Sequence, residues 1–240
     1  MSEGGENAIE KLFHGIDPTN KRIVNIGSGL GGVGQYLART YNARITGLEI
    51  NPWMVEESTR RIPDNLKTLV DFALLTDNAS LPFASASLDI VCSKGVFAHI
   101  KNKEPLFSEV HRVLKPGGIF LINDWLSPLQ ETWSDRVKKM VELDGLTEII
   151  MFAQTPERYV QILQDTNFST VKTTDQTQEY SLCNREIVEK LATLTADKKN
   201  ELNHIFGPSF VQNAIDGYTL IAQAQEQREL LVYKFIAYKS

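Results

Sequence analysis

The sequence predicts an α/β fold: a mostly parallel sheet of seven strands, with helices on both faces and a helical insertion before the last strand. Three observations carry this expectation. Short apolar runs alternate with helical patterns from Arg22 onward, as consecutive βαβ units do. A glycine cluster stands where the first run gives way to a helix. A long helical stretch then precedes a final apolar run, and the last two runs suit antiparallel pairing.

Arg22 to Ile26 (RIVNI) is the first buried-strand candidate, and the helix after the glycines puts Val33, Leu37 and Tyr41 on one face. Arg44 to Glu49 (RITGLE) is the second strand. Asn51-Pro52 then opens a helix, with Asn as N-cap and Pro at the first helical position. Lys67 to Phe72 and Leu88 to Ser93 are the third and fourth strands. A helix from about Asn102 aligns Leu106, Val110, Val113 and Leu114, and Lys115-Pro116-Gly117-Gly118 is expected to end it in a tight turn. Ile119 to Asp124 is the fifth strand. Thr155-Pro156 opens a helix through Asp165, and Phe168 to Thr173 is a weaker strand. Residues 181–228 read as helical, with Ile187, Leu191 and Leu194 as one stripe and a break at Gly207-Pro208; Leu230 to Tyr238 is the last strand. No linker rich in Gly, Ser or Pro divides the chain. One domain over 1–240 is expected, its core at about 20–180 and 229–240 and its insertion at about 181–228 placed as a lid.

Composition narrows the function. The 240 residues carry 25 Lys and Arg against 30 Asp and Glu, a net charge of −5, which argues against a broad phosphate-binding face. Cys92 and Cys183 lie in unrelated contexts, with no Cys/His cluster, so neither a zinc site nor a disulfide scaffold is expected. The opening MSEGGENAIEKLFHG lacks the basic-then-apolar order of a signal peptide, and no apolar run is long enough to span a membrane. The expected setting is cytoplasmic, with no nucleic-acid or membrane partner and no metal.

The sharpest motif is Val24-Asn25-Ile26-Gly27-Ser28-Gly29-Leu30-Gly31-Gly32, a turn from strand into helix. Glycine permits positive φ and close approach of a ligand to the backbone, and the helix start offers free N–H groups. Glu49 ends the second strand, where a carboxylate can accept from ribose hydroxyls. Gly27, Gly29 and Gly32 also satisfy GxGxxG, so a nicotinamide dinucleotide, or no ligand, fits the loop by itself.

Further runs follow in order: Asp77-Asn78-Ala79-Ser80-Leu81-Pro82-Phe83, Ser87-Leu88-Asp89-Ile90-Val91 and Leu114-Lys115-Pro116-Gly117-Gly118. With the glycine loop they resemble the class I S-adenosylmethionine-dependent methyltransferases, a Rossmann-like family. The resemblance implies S-adenosyl-L-methionine as cofactor. It implies that Gly27, Ser28 and Gly29 line its methionine and ribose part, that Glu49 holds the ribose, and that Ile50 lies against the adenine. Asp77, with Asn78 beside it, would take the adenine amino group. Asn25 departs from the family's usual acidic residue, which implies weaker binding.

The layout is also similar to the phosphoethanolamine N-methyltransferases and related small-molecule enzymes. Met1-Ser2-Glu3-Gly4-Gly5 resembles a segment that closes over their cofactor, placing Ser2 there. Ser93-Lys94-Gly95-Val96-Phe97-Ala98-His99-Ile100 occupies the place of their catalytic-histidine segment, with Lys94 flanking the cofactor. Gly95 and Trp125 stand where those enzymes carry an acidic residue and a tyrosine. Met140, Asp144 and Leu146 fall where they use tyrosine or arginine, and Asp144 would repel a phosphate. The chain is expected to begin after their amino-terminal lid. The implied reaction is methyl transfer to N or O of a small molecule other than a phosphobase.

His99 follows the fourth strand, at the edge where open α/β sheets bind ligands, and is the candidate base. The competing reading is a histidine packing at a helix start. Gly95, Asp124 and Trp125 are the candidate acceptor contacts; Trp125 and Trp133 suit a cationic acceptor, or else pack in the core. Tyr180, Tyr218 and Arg228 of the insertion are further inward-facing candidates. A macromolecular methyltransferase, a cofactor-binding protein without catalysis and a nicotinamide dehydrogenase remain the alternatives.

Overall fold

The computed structural model describes residues 5–76, 80–143 and 151–240. Its elements run in the order α1 (Gly5–Phe13), β1 (Arg22–Ile26), α2 (Gly32–Tyr41), β2 (Arg44–Glu49), α3 (Pro52–Arg60), β3 (Val70–Leu74), β4 (Leu88–Lys94), α4 (Glu104–Val113) and β5 (Leu114–Leu126). They continue with α5 (Asp135–Leu143), α6 (Pro156–Asp165), β6 (Thr170–Asp175), α7 (Thr177–Ala192), α8 (Ala196–Phe206), α9 (Phe210–Glu226) and β7 (Leu231–Tyr238). The strands form one seven-stranded sheet in the order β3-β2-β1-β4-β5-β7-β6. Pairing is parallel as far as β5, and β7 runs antiparallel between β5 and β6.

Strand periodicity sorts the core. Adjacent side chains point to opposite faces, so Ile23 joins Leu37, Ile45, Ile90, Cys92 and Leu121 under α1 and α2. Val24 and Ile26 face the other way, onto Val91, Phe107, Val110, Phe120, Tyr159 and Ile162 under α4 and α6. Both faces are covered, which is why these strands read as continuous apolar runs. Phe107 is the hub of the second face: fully buried, it meets Phe97, Phe120 and Tyr159 edge to face at ring separations of 5.0, 5.1 and 6.5 Å.

Helix α3 starts as its sequence predicts, Asn51 Oδ1 accepting from the N–H groups of Trp53 and Met54 with Pro52 in the first turn. Other boundaries move for physical reasons. The third strand begins at Val70 rather than Lys67, because a single 3-10 turn at Asp64–Leu66 takes up the preceding residues. The expected turn at Lys115-Pro116-Gly117-Gly118 lies inside β5. Leu114 pairs with Leu88 and Ile119 with Ile90, so residues 115–118 bulge from the sheet. Their backbone is satisfied from elsewhere: Gly117 N–H donates to Lys239 O (2.8 Å) and Lys239 N–H to Gly118 O (3.0 Å). The sixth strand is shifted to Thr170–Asp175, an edge whose mostly exposed side chains weaken its pattern.

Helix α1 was not read from the sequence. It buries Ala8, Ile9, Leu12 and Phe13, and the Lys234 ammonium donates to Lys11 O (3.0 Å) and His14 O (3.2 Å) at its C-terminal end. A cation there also answers the helix dipole. The helical stretch divides at Gly207, as expected, and starts earlier, at Thr177. A buried amide docks it on the sheet: Asn123 Nδ2 donates to Gln176 Oε1 (2.8 Å), and Tyr180 OH donates to Asn123 Oδ1 (2.9 Å). Among the described residues no helix is long and apolar enough to cross a membrane.

Truncating the aromatic hub leaves a cavity that three rings cannot close. Phe107→Ala should lower the unfolding free energy by about 3–5 kcal/mol, read from urea denaturation followed by circular dichroism.

Candidate active site

The strand order reverses between β1 and β4, and a cavity of about 690 Å³ opens there at the carboxyl ends of the strands. This is where open α/β sheets bind ligands. The cavity brings together Gly27, Gly29, Glu49, Ile50, Lys94, Gly95 and His99, from three separate stretches of the sequence reading, with Phe152 closing one side.

The glycine loop is held from beneath. The N–H groups of Gly27 and Ser28 both donate to Leu48 O (2.8 and 3.0 Å), which ties the end of β1 to β2. Gly27 has φ +70°, and a Cβ on it would collide with the Val96 side chain. Only glycine lets the turn and the start of the β4 loop approach this closely. The Glu49 carboxylate, nearly buried, accepts from Gly29 N–H (2.8 Å), Ile50 N–H (2.9 Å) and Asn51 N–H (3.2 Å). A carboxylate has about four acceptor positions, so capacity for a hydroxyl donor remains. The Ile50 side chain is 68% exposed at the mouth.

Ser28 behaves differently from its glycine neighbours. Its Cβ lies against Gly47 of β2, where an added methyl would come within 2.8 Å of it. Its hydroxyl is buried and has no partner among the described residues. Asn25, the departure from the acidic residue, is buried on the α1/α2 face, where its Oδ1 accepts from Cys92 Sγ (3.6 Å). Burial pushes the Cys92 thiol up to about 12.

The opposite wall follows β4. Gly95 takes φ +67°, is open to solvent, and has no atom within 4 Å of where a Cβ would stand. Its N–H donates to Asn123 O (2.8 Å). Lys94 Nζ lies 5.4 Å from the Tyr180 ring centre, joining the site to α7. His99 closes a short 3-10 turn, Phe97–His99, and is exposed to the cavity. That turn is pinned from both sides: Phe152 N–H donates to Ala98 O (2.7 Å), and the Lys103 ammonium donates to Ile100 O (2.6 Å).

Not every residue singled out from the sequence reaches the cavity. Asp124 is fully buried behind it, with Oδ2 accepting from Tyr159 OH (2.7 Å) and Oδ1 from Trp125 N–H (2.9 Å). Trp125 packs with Trp133 and Tyr218 against Val137, Met140 and Ile221, in a cluster joining α5 and α9. Arg228 pairs with Asp175 (2.7 Å) instead of turning inward. Ser2, Asp77, Asn78, Asp144 and Leu146 lie outside the described residues. Conversely, Phe152, Lys103 and Tyr159 were not anticipated. Phe152 stands in a stretch with no periodicity. Tyr159 sits at an ordinary buried helix position, and Lys103 has the look of a solvated lysine until the fold buries it.

Comparison with known proteins agrees with this geometry. Residues 24–122 match a family model described as a methyltransferase domain. The chain is 28% identical over 222 residues to a phosphoethanolamine N-methyltransferase of Plasmodium falciparum, covering 91% of this chain and 79% of that one. It is 24% identical to a wheat (Triticum aestivum) phosphoethanolamine N-methyltransferase, covering 95% of this chain but 44% of that one. Among solved structures, Haemonchus contortus phosphoethanolamine N-methyltransferase 2 with S-adenosyl-L-methionine superposes at a TM-score of 0.80 and 25% identity, over 99% of this chain and 53% of that one. The chain thus spans most of the Plasmodium relative and about half of the nematode and plant ones. Residues 24–122 thus carry a methyltransferase domain, and the chain resembles the S-adenosylmethionine-dependent phosphoethanolamine N-methyltransferases.

Proposed function

We propose that the chain transfers a methyl group from S-adenosyl-L-methionine to a nitrogen or oxygen of a small molecule that is not a phosphobase, with His99 as the base. The observation that carries this reading is the single cavity shared by the glycine loop, Glu49 and His99. Its volume suits a nucleoside-sized ligand, and its residues fit this cofactor. Glu49 keeps acceptor capacity for the ribose, exposed Ile50 offers an apolar surface to the adenine, and the Cα edge of Gly27 and Gly29 admits close approach. Ser28, expected beside them, has its N–H and carbonyl engaged by Leu48 and Gly31, and Lys94 flanks that edge from β4. Ser2, Asp77 and Asn78 complete the set by resemblance.

The bound sulfonium supplies a methyl group to an acceptor lone pair by in-line displacement and departs as a neutral thioether. The protein's own contribution is alignment, exclusion of water and removal of the acceptor's proton. His99 projects into the cavity from a turn fixed at Ala98 and Ile100, so its ring is presented from a rigid base. Val96, Ile100 and Phe152 line the same cavity with apolar surface.

The acceptor's character follows from what stands there. Among the described residues no arginine lines the cavity, and Lys94 is engaged over Tyr180. Phosphate recognition favours paired arginines or lysines, so the site suits an unphosphorylated amine or phenol. Gly95 leaves open space for it.

Two measurements test this reading. In isothermal titration with S-adenosylmethionine, Glu49→Ala should weaken binding by about 10- to 100-fold, the range for a lost charge-assisted hydrogen bond. Unaltered affinity would remove Glu49 from the cofactor site. An acceptor screen of amines, phosphobases and phenols, read by release of S-adenosylhomocysteine, should find turnover on an unphosphorylated compound. His99→Ala should cut it by about 10²- to 10⁴-fold. Phosphoethanolamine as the best acceptor would overturn the substrate reading, and undiminished turnover in His99→Ala would overturn the base.

A further inference from the structure

We propose that the groove at the amino ends of β1, β2 and β3 is a second ligand site, which takes a phosphate monoester carried on an aromatic ring. The site stands apart from the methyl-transfer reading and needs no part of it. The groove has a volume of about 400 Å³ and lies at the opposite end of these strands from the cofactor cavity. Its origin is in the sheet. Arg22 pairs with Arg44, Val24 with Thr46 and Thr46 with Asp71, so these side chains share the Val24 face. Helix α2 packs on the other face, where Leu37 and Ala38 cluster with Ile45 and Val70. As far as it is described, the connection from β3 to β4 contains no helix. Phe83 of that connection borders the groove instead.

The two arginines carry the argument. Register neighbours on adjacent strands stand about 4.8 Å apart, and like charges set side by side there destabilise a sheet. Both backbones are fixed: Arg22 N–H donates to Asp89 Oδ2 (2.8 Å) and Arg44 N–H to Lys21 O (2.8 Å). Both side chains are exposed, and among the described residues neither guanidinium has a hydrogen bond or ion pair. The nearby carboxylates are engaged elsewhere. Asp89 holds Lys115 (2.7 Å), and Asp71 Oδ1 accepts from the Thr46 hydroxyl (2.9 Å). Lys67, paired with exposed Asp64 (2.6 Å), adds a third cation. The lining thus holds three cations against one carboxylate, in a chain whose net charge is −5. Adjacent guanidinium forks match the oxygens of a phosphate dianion. The ring follows from Phe83, which is half-buried. Its loop is held by Arg112, which donates to Leu81 O (3.1 Å) and Phe83 O (2.9 Å). Aromatic surface beside paired cations suits a flat ring attached to the phosphate.

Isothermal titration of the full chain tests the site, with S-adenosylhomocysteine in excess so that the cofactor cavity is filled. The probe is phenyl phosphate, with inorganic phosphate and phenol as its two halves. Phenyl phosphate should bind more tightly than inorganic phosphate, and phenol should not bind. Arg22→Gln and Arg44→Gln should each weaken phenyl phosphate by about 10- to 100-fold, the effect of a lost charge-assisted hydrogen bond. Arg44→Lys keeps the charge but removes the fork. It should weaken binding by less, and it decides the question should a glutamine variant fail to fold. Absence of phenyl phosphate binding, or unchanged affinity in the folded variants, would overturn the site. Binding seen only when S-adenosylhomocysteine is left out would place the probe in the cofactor cavity and overturn it equally. Inorganic phosphate binding as tightly as phenyl phosphate would overturn the ring-bearing class.

Discussion

The contact on which the site depends is the one between the turn after β1 and the loop after β4. These strands are neighbours in the sheet, and their connections leave toward opposite faces. A gap must open between the two departing chains, and its width is set by how closely Gly27 approaches Val96. Leu48 O fixes one bank by accepting from Gly27 and Ser28, and Asn123 O fixes the other by accepting from Gly95. The cavity is therefore a product of sheet topology, and the side chains that line it are decoration on a frame held by backbone hydrogen bonds.

Much of this was legible in the residues because the frame has strong local signatures. A sheet buried on both faces produces near-continuous apolar strands, and a turn that needs positive φ and close approach produces glycine. Asn51-Pro52 announced the start of α3 for an equally local reason. What escaped has a common physical cause: the information lies in tertiary partners. Lys115 to Gly118 look like a stop until the backbone around Lys239 pairs with them. Helix α1 has a clear apolar face, but its place depends on Lys234, more than two hundred residues away in sequence. Asp124 ends an apolar strand at the carboxyl edge, which is where an acceptor contact is expected. Only Tyr159, supplied by another helix, shows that its carboxylate is spoken for.

The same contrast separates the two halves of the site. The cofactor half is built from strand ends and one loop, so its residues fall at predictable offsets along the sequence. The side proposed for the acceptor has Phe152 and Gly95 in its lining, with Trp125 and Trp133 drawn into the packing between α5 and α9. Loops and inserted helices tolerate change better than strands do. A fold of this kind can hold one donor constant while the other side of the cavity is rebuilt for a different recipient.

The position of β7 has a consequence for how the molecule is made. It follows α9 in sequence yet lies between β5 and β6, hydrogen-bonded to both. While the ribosome is still adding residues 181–230, β5 and β6 each present an unsatisfied strand edge, the geometry that invites aggregation. Five strands and the cavity between β1 and β4 are already specified by then, but the sheet can be sealed only when residues 231–238 emerge. The seventh strand is thus the closing piece of the sheet: without it β5 keeps an open edge and β6 has no strand partner.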